Sequence, residues 1–490
     1  MLNNFDISNL LQQLTFNAKE PMLFTSGLFW LLFLIFLPLY ALIKSRRKQM
    51  MLFVVAFSLY FFYKSSGWFL LLLVGTSIMD WWFAQFIDSS KDRFQRRLAL
   101  TVSLVCSLGV LLFFKYSNFV IWNWNALVDG NFQPLDLIMP VGVSFYTFRT
   151  ISYVVDVYKH KIQPTDDYID YLFFLSYFPC LVAGPIVRAC DFMPQLERNK
   201  TATREMIYGG LWLVMLGILK KAVCADYIAQ YNNIAFGNPT GYTGVELLMA
   251  VLGYTMQIYC DFSGYSDMAI GLGSIMGFDL GINFDFPYRS LNVTEFWRRW
   301  HISLSMWLRD YIYIPLGGNR KGTARKYVNL MVTMLLGGLW HGAAWTFVVW
   351  GAGHGVALCV HKLCKPWLDT VKSTRWTRAL SWLLTFSFVS LLWIFFRART
   401  FGAAGQVIGG IVSRFDLAYL PVFVERRLVW CLMLAAVMAL HFVPRRVWDG
   451  MSRWFIASKW VVKLVIFIAV IQLVLQFSSA TVQPFLYSQF

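Results

Sequence analysis

A histidine inside an apolar, glycine-rich segment is the first residue of this sequence that suggests a chemical role. His341 lies in LLGGLWHGAAWTF, residues 335–347, where Gly337, Gly338 and Gly342 would let another backbone or a substrate approach closely. Burial disfavours the imidazolium ion, and a neutral buried imidazole is a competent general base near neutral pH. The alternative is a histidine that bridges two helices through a satisfied hydrogen bond. Composition alone does not decide between the two.

A second histidine, His301, lies in NVTEFWRRWHISLSMWLRDYIYIPLGGNR, residues 292–320. Tryptophans and leucines at helical spacing predict an amphipathic helix at the cytoplasmic surface of a membrane. An interfacial anchor carrying a solvated histidine is one interpretation. The chemical interpretation is a basic entrance for a phosphate-bearing donor, with Arg298, Arg299 and Arg320 as donor-binding residues.

Carboxylates and hydroxyls interrupt the apolar sequence between residues 259 and 290. Asp261, Ser263 and Asp267 predict a polar cavity lining, and Trp340 is expected to contribute to the same lining. Three further charged residues lie in or near apolar spans and are expected to pair with one another: Arg149, Asp156 and Arg188.

The elements that must hold these residues are apolar helices. Of the 490 residues, 58% are hydrophobic and 14% charged, and apolar runs such as 22–43 and 460–477 are long enough to cross a bilayer. The pattern predicts an all-α, polytopic transmembrane protein with about eleven to thirteen hydrophobic segments, some of them re-entrant, around a central cavity. No repeat or soluble domain is visible, so we expect one membrane domain over residues 1–490.

Charge and cysteine usage exclude several classes of protein. The 43 lysines and arginines against 26 acidic residues give a net charge of +17, but the basic residues gather in short loops, including 309–326 and 361–378. This positive-inside pattern argues against nucleic-acid binding and places both termini outside the cytoplasm. The eight cysteines are scattered without metal-site spacing, so we expect neither a metal site nor a disulfide framework.

Several long segments resemble one family. FWRRWHISLSMWLRDYIYIPLGGNR and GGLWHGAAWTFVVWGAGHG resemble the signature segments of the membrane-bound O-acyltransferases. AGPIVRACDFMPQL, DFSGYSDMAIGLGSIMGF and FYTFRTISYVVDVY are similar to the bacterial branch that contains the alginate O-acetylation protein. The resemblance implies N-terminal scaffold spans at 1–138, a catalytic core at 139–361, and C-terminal spans with an extracytoplasmic tail at 362–490.

The resemblance also implies an activity. Such enzymes pass an acyl group, here expected to be acetyl, from a cytoplasmic thioester such as acetyl-CoA across the bacterial inner membrane to an outside hydroxyl. His341 matches the family's proposed catalytic histidine, and His301 matches its second characteristic histidine. No bound cofactor is expected beyond the donor. The implied partners are membrane lipids, an extracytoplasmic SGNH-like acetyltransferase, an exopolysaccharide or cell-wall glycan acceptor, and a polysaccharide synthase complex.

Two points stay open in the sequence. By the same resemblance, Phe485, Tyr487 and Phe490 in the terminal PFLYSQF are expected to dock a partner or acceptor, although Leu486 and Ser488 depart from the family's usual ending. The alternative function is a transporter or flippase for an acyl donor or a glycan intermediate. Transporters typically contain internal repeats, and the sequence shows none, which favours the enzyme. A scaffold that only assembles a glycan-export complex is a third alternative.

Overall fold

The computed structural model describes residues 13–18, 20–197 and 201–477, and these residues form helices and loops without a β-strand. The all-α class predicted from the apolar pattern is confirmed. The chain divides into two compact units. The first comprises residues 1–203 and 272–280, and the second comprises residues 204–271 and 281–490.

The first unit is a helical bundle with an aromatic core. Phe178, in the turn that follows the sixth helix, contacts the rings of Phe36 and Phe57 at centroid distances of 5.8 and 5.1 Å. Such ring pairs add to the free energy of burial, so this turn is fixed against the first two helices. The helices are α1 (Gly27–Ile43), α2 (Arg47–Ser66), α3 (Leu70–Ser89), α4 (Arg93–Val128), α5 (Val143–Tyr158), α6 (Tyr168–Ser176) and α7 (Ala189–Glu197).

The second unit begins with a helix that changes its winding. α8 (Arg204–Ile218) continues through a π-helical segment, Leu219–Ala225, into α9 (Asp226–Gly237). π-Helical turns often occur at functional or strained positions. The remaining helices are α10 (Gly244–Ile275), α11 (Val293–Arg299), α12 (Ile302–Leu308), α13 (Thr323–His341), α14 (Trp345–Leu368), α15 (Arg375–Arg397), α16 (Phe401–Ser413), α17 (Tyr419–Arg426), α18 (Leu428–Phe442), α19 (Arg445–Ala457) and α20 (Trp460–Phe477).

Several of these helices are suited to cross a membrane, so the chain is a multi-pass membrane protein. Within the described residues, six helical stretches are long and apolar enough, and α18 with α19, which meet at 94°, would make a seventh. The number is lower than the eleven to thirteen segments expected. Apolar α1 and α16 are too short, at 17 and 13 residues, and α2 with α3 count as one stretch of 43 residues, as α8 with α9 count as one of 34. The six stretches are Arg47–Ser89, Arg93–Val128, Arg204–Gly237, Trp345–Leu368, Arg375–Arg397 and Trp460–Phe477.

A cavity of about 590 Å³ lies within the second unit. Its lining comes from α8, the π-helical segment, α10 and α18 to α20, and is almost entirely apolar, with Lys220 and His441 among its few polar members. Neither His341 nor His301 lines it. This cavity is therefore distinct from the reaction chamber that the sequence suggested around the two histidines.

Candidate active site

The hairpin formed by α13 and α14 fixes the position of His341, the last residue of α13. The two helices approach backbone to backbone. A Cβ atom on Gly351 would lie 2.5 Å from the carbonyl oxygen of Met334, and one on Gly338 would overlap the carbonyl oxygen of Phe347. Only glycine fits at such contacts. The close approach expected from the glycine pattern is thus realised between two helices.

The imidazole of His341 is enclosed by aromatic rings. The residue is 3% exposed. Its ring centroid lies 4.9 Å from that of Trp340, and Trp350 and Phe396 present their rings at 5.0 and 5.2 Å. His341 is therefore buried, as the sequence predicts, in a setting that excludes bulk water and strengthens polar interactions with a bound reactant.

His301 occupies a break between two short helices. It separates α11 from α12 with φ 42° and ψ 57°, a left-handed conformation that residues other than glycine seldom adopt. Its side chain is completely buried. The amphipathic helix expected ahead of a turn at Pro315 is therefore broken at His301, and the solvated histidine of the anchor interpretation is wrong. The helical spacing of the tryptophans in the sequence could not reveal the break at His301.

Asn283 determines which nitrogen of His301 carries the proton. The Asn283 amide donates to the Ser266 hydroxyl at 3.0 Å, and its Oδ1 accepts from the backbone nitrogen and hydroxyl of Ser303. Nδ1 of His301 lies 3.1 Å from this same oxygen, which can only accept, so Nδ1 is protonated and Nε2 is an acceptor. Burial lowers the pKa of His301 to about 3, and the ring is neutral at physiological pH.

Replacing Asn283 with aspartate tests this assignment. A carboxylate beside Nδ1 stabilises the imidazolium ion, so the pKa of His301 rises and the ring gains a proton in mild acid. We expect the acid limb of the pH profile of acyl transfer to move upward into the range of about pH 5 to 8. Ser303→Ala, which removes a hydrogen bond to the same oxygen without adding charge, is the control. Superimposable profiles for Asn283→Asp and the wild type would contradict the assignment.

Trp340 joins the two histidines in one cluster. Its ring lies 6.1 Å from that of His301 and 4.9 Å from that of His341. On the other side of His301, Phe262 of α10 makes an edge contact at 4.6 Å. The structure thus brings together His341, His301 and Trp340, which the sequence predicts as site residues from two separate segments.

A third buried histidine, His354 on α14, belongs to the same cluster and was missed by sequence reasoning. Its ring lies 4.9 Å from Trp350, which also contacts His341. The indole nitrogen of Trp297 donates to Nδ1 of His354 at 3.3 Å, so Nε2 carries the proton. The signal was present in GAGHG, because residues 350 and 354 share one face of a helix.

The three arginines predicted to bind the donor have different environments. Arg299 pairs with Glu295 at 3.0 Å and Asp285 at 3.4 Å, so its charge is already balanced. Arg298 and Arg320 are exposed. Among the three, Arg298 and Arg320 are therefore better placed to meet an anionic ligand from solution.

An open pocket of about 390 Å³ lies at the start of α13, next to Arg320 in sequence. It contains two lysines, and none of the described residues that line it is acidic. The α13–α14 hairpin brings the lysines together, although they lie in two separate basic stretches of the sequence. The lining residues are Asn319, Gly322, Thr323, Lys326 and Lys362.

Asp261 and Asp267, the carboxylates predicted to line a cavity, form ion pairs. Asp261 on α10 lies 2.5 Å from Lys221, which also pairs with Asp226 at 2.7 Å. Asp267 lies 2.6 Å from Lys220. These contacts join α10 to the π-helical segment and place the two carboxylates against its tandem lysines.

The remaining predicted site residues are Ser263, Phe485, Tyr487 and Phe490. Ser263 is completely buried on α10, between the two ion-paired carboxylates in sequence. The three residues of the terminal segment lie outside the described residues.

Comparison with known proteins identifies the family of this chain. The sequence profile of the membrane-bound O-acyltransferase family matches residues 23–404. The peptidoglycan O-acetyltransferase of Helicobacter pylori is 38% identical over 70% of this chain and 69% of its own length. The probable alginate O-acetylase of Pseudomonas aeruginosa is 42% identical over 80% and 75% of the two chains. The teichoic acid D-alanyltransferase of Bacillus subtilis is 28% identical over 57% and 74%.

The three buried histidines lie within the residues that match the family profile, and the fold is that of a helical membrane protein. The chain belongs to the membrane-bound O-acyltransferase family. It is accordingly an enzyme, an O-acyltransferase, and the resemblance found in its motifs extends over most of its length.

Proposed function

We propose that this protein transfers an acetyl group from a cytoplasmic thioester, acetyl-CoA or an equivalent, across the bacterial inner membrane to a hydroxyl on the far side. The proposed process is O-acetylation of an exopolysaccharide or cell-wall glycan through an SGNH-like partner. The observation that carries the proposal is the water-excluded cluster of His341, Trp340 and His301. Support for a glycan acceptor comes from relatives named for alginate, peptidoglycan and teichoic acid.

The proposed reaction needs a base, and His341 fits that role. The acceptor oxygen attacks the thioester carbonyl carbon while His341 takes the hydroxyl proton. The carbon–sulfur bond then breaks, and the same proton passes from His341 to the leaving thiolate. The products are an ester and a free thiol, and no covalent acyl-enzyme is required.

His301 fits a different role from that of a proton donor. Because Nδ1 holds its proton against Asn283, Nε2 can only accept, so donation to the thioester oxygen is disfavoured. We assign Nε2 of His301 to accept a hydrogen bond from the incoming hydroxyl. Such a contact orients the acceptor oxygen before its proton is removed.

Two buried N–H groups suit the charge that develops on the carbonyl oxygen. Nε1 of Trp350 and Nε2 of His354 have no hydrogen-bond partner among the residues that the structure describes. Both nitrogens are donors, and the Trp350 ring contacts both His341 and His354. We assign these donors to the oxyanion of the tetrahedral intermediate.

Replacing His354 with phenylalanine removes one of these donors while keeping a ring of similar shape. We expect kcat to fall by about 10²-fold or more, the usual loss for one oxyanion donor, with a smaller change in KM. The measurement is steady-state acyl transfer by purified protein. Phe388→Leu is the control, because Phe388 packs at 5.9 Å from His354 without a polar atom. Equal kcat values for His354→Phe and the wild type would remove His354 from the reaction.

The pocket with Lys326 and Lys362 is the proposed site for the donor's phosphates. Charged ammonium groups bind phosphate oxygens, and among the described lining residues there is no carboxylate to compete for them. Lys326→Ala and Lys362→Ala are each expected to raise KM for acetyl-CoA about tenfold with little change in kcat. The control is Lys365→Ala, on the same helix, whose charge is already paired with Asp369 at 2.5 Å. A fall in kcat at unchanged KM would place these lysines outside donor binding.

The proposal as a whole is tested with purified protein in sealed vesicles, labelled acetyl-CoA on one side, and the partner with a glycan on the other. Label covalently attached to the partner or glycan on the far side is the expected result. Transport of donor or glycan without acyl transfer would favour the transporter alternative.

Protease protection of tags at each end tests the proposed extracytoplasmic termini. Deleting residues 485–490 tests whether Phe485, Tyr487 and Phe490 dock the partner.

A further inference from the structure

Arg149 is a charged residue that the proposed reaction does not use. It lies on α5 in the first unit, and its side chain is completely buried. Within the described residues, Arg149 forms no ion pair with Asp156, so the pairing expected for Arg149 is wrong. Asp156 pairs with Lys161 at 3.3 Å, and Arg188 pairs with Asp191 at 2.7 Å. A different explanation is needed for a guanidinium group at this position.

The contacts of Arg149 compensate its charge only in part. Nη1 donates to the carbonyl oxygen of Cys180 at 3.4 Å, and the guanidinium carbon lies 4.9 Å from the centre of the Phe174 ring. Nε and Nη2 have no hydrogen-bond partner in the part of the chain that the structure describes. These two nitrogens share one edge of the guanidinium plane, the edge that chelates an anion through two parallel hydrogen bonds.

Other deeply buried cations of this chain have their partners. Lys221 is paired with two carboxylates, Asp226 and Asp261. Lys64, 3% exposed, donates to the carbonyl oxygens of Gln13 and Thr15. Arginine cannot relieve its burial by losing its proton, whereas lysine can. The edge of Arg149 that faces no acceptor therefore needs an external negative charge.

We propose that the Nε and Nη2 edge of Arg149 binds a small inorganic anion, with chloride as the physiological ligand. A water molecule would accept the hydrogen bonds but leave the buried positive charge unbalanced. A phosphate ester would need a passage for its organic part, and the fully enclosed side chain offers none. A monatomic anion supplies one charge in the least volume.

The bound anion would stabilise the first unit. Arg149 already joins α5 to the turn Phe178–Cys180 through the Cys180 carbonyl group. An anion that balances the guanidinium charge would lower the free-energy cost of burying Arg149 beside the Cys180 carbonyl group. Because chloride would bind only the folded chain, thermal stability should rise with chloride concentration.

The test is thermal unfolding of the purified full-length protein in chloride and in gluconate at equal ionic strength, after extensive dialysis against gluconate. We expect the Tm to rise by several degrees with chloride, and bromide to replace it. Arg149→Gln should abolish the dependence. Arg289→Gln is the matched control and should retain it, because Arg289 lies in the second unit and donates to the carbonyl oxygens of His441 and Val443.

Two outcomes would overturn the proposal. One is a wild-type Tm that is the same in chloride and gluconate, which would leave water as the only ligand. The other is a chloride dependence that Arg149→Gln retains, which would place the anion elsewhere. If Arg149→Gln does not fold, anomalous diffraction from bromide-grown wild-type crystals decides the question: a peak in contact with Nε and Nη2 supports the site, and its absence rejects it.

Discussion

Replacing His341 with alanine is expected to abolish measurable acyl transfer while the protein stays folded in the membrane. A positioned general base typically contributes about 10²–10⁴-fold to the rate, and His341 is only 3% exposed to solvent that could substitute for the imidazole. The helix hairpin should survive, because its contact depends on glycine backbones at Gly338 and Gly351. The measurement is product acylation in cells together with the amount and Tm of the purified variant.

The matched control is His361→Ala on α14. His361 is only partly buried, and its Nδ1 meets the Thr294 hydroxyl at 2.8 Å, outside the aromatic cluster. We expect nearly normal transfer by this variant. Near-normal acylation by His341→Ala would show that His341 is not the base and would favour the scaffold alternative. Loss of activity in both variants would point to a general requirement for an intact α13–α14 hairpin.

The second large effect is expected on stability, from Lys221→Met. Lys221 and Asp261 are 3% and 2% exposed, and Lys221 also pairs with Asp226. Removing the ammonium group takes this cation away from a buried carboxylate, Asp261, and from a partly buried one, Asp226. Breaking a buried ion pair in this way costs about 3–5 kcal/mol, so we expect a large fall in Tm of the purified protein.

Lys220→Met, the adjacent substitution, provides the control. Its pair with Asp267 is 28% and 19% exposed, so solvent can screen the carboxylate that remains better than it can screen Asp261. We expect a clearly smaller fall in Tm. Adding Asp226→Asn and Asp261→Asn to Lys221→Met should recover part of the lost stability, because both orphaned charges are gone. If the Tm of Lys221→Met equalled that of the wild type, these ion pairs would contribute little to the stability of the protein.

Sequence reasoning reached the helical membrane class, the family and the burial of His341, because each has a local signal. Long apolar runs indicate helices in lipid whatever their partners. The glycines beside His341 indicate close packing, and Gly338 makes such a contact. Whether His341 and His301 act in the reaction stays a prediction that the proposed variants test.

The rest depended on contacts between distant segments. The sequence predicts that Asp261 and Asp267 line a cavity. Nothing in their own segment indicates that Lys220 and Lys221 pack against them. The left-handed conformation of His301 depends on tertiary contacts such as that with Asn283. Lys326 and Lys362 line the same pocket because the turn between α13 and α14 brings the two helices side by side.

The contact between Gly338 and Gly351 has a consequence for how His341, the proposed base, is positioned. Where two main chains touch, neither helix can slide or rotate without separating them, so His341 is placed when the protein folds and not when a substrate arrives. The binding energy of donor and acceptor is then free to lower the barrier instead of assembling the base. A methyl group at Gly338 or Gly351 would push the two helices apart and displace the His341 imidazole. Such a substitution would therefore lower the rate of the proposed reaction without changing His341 itself.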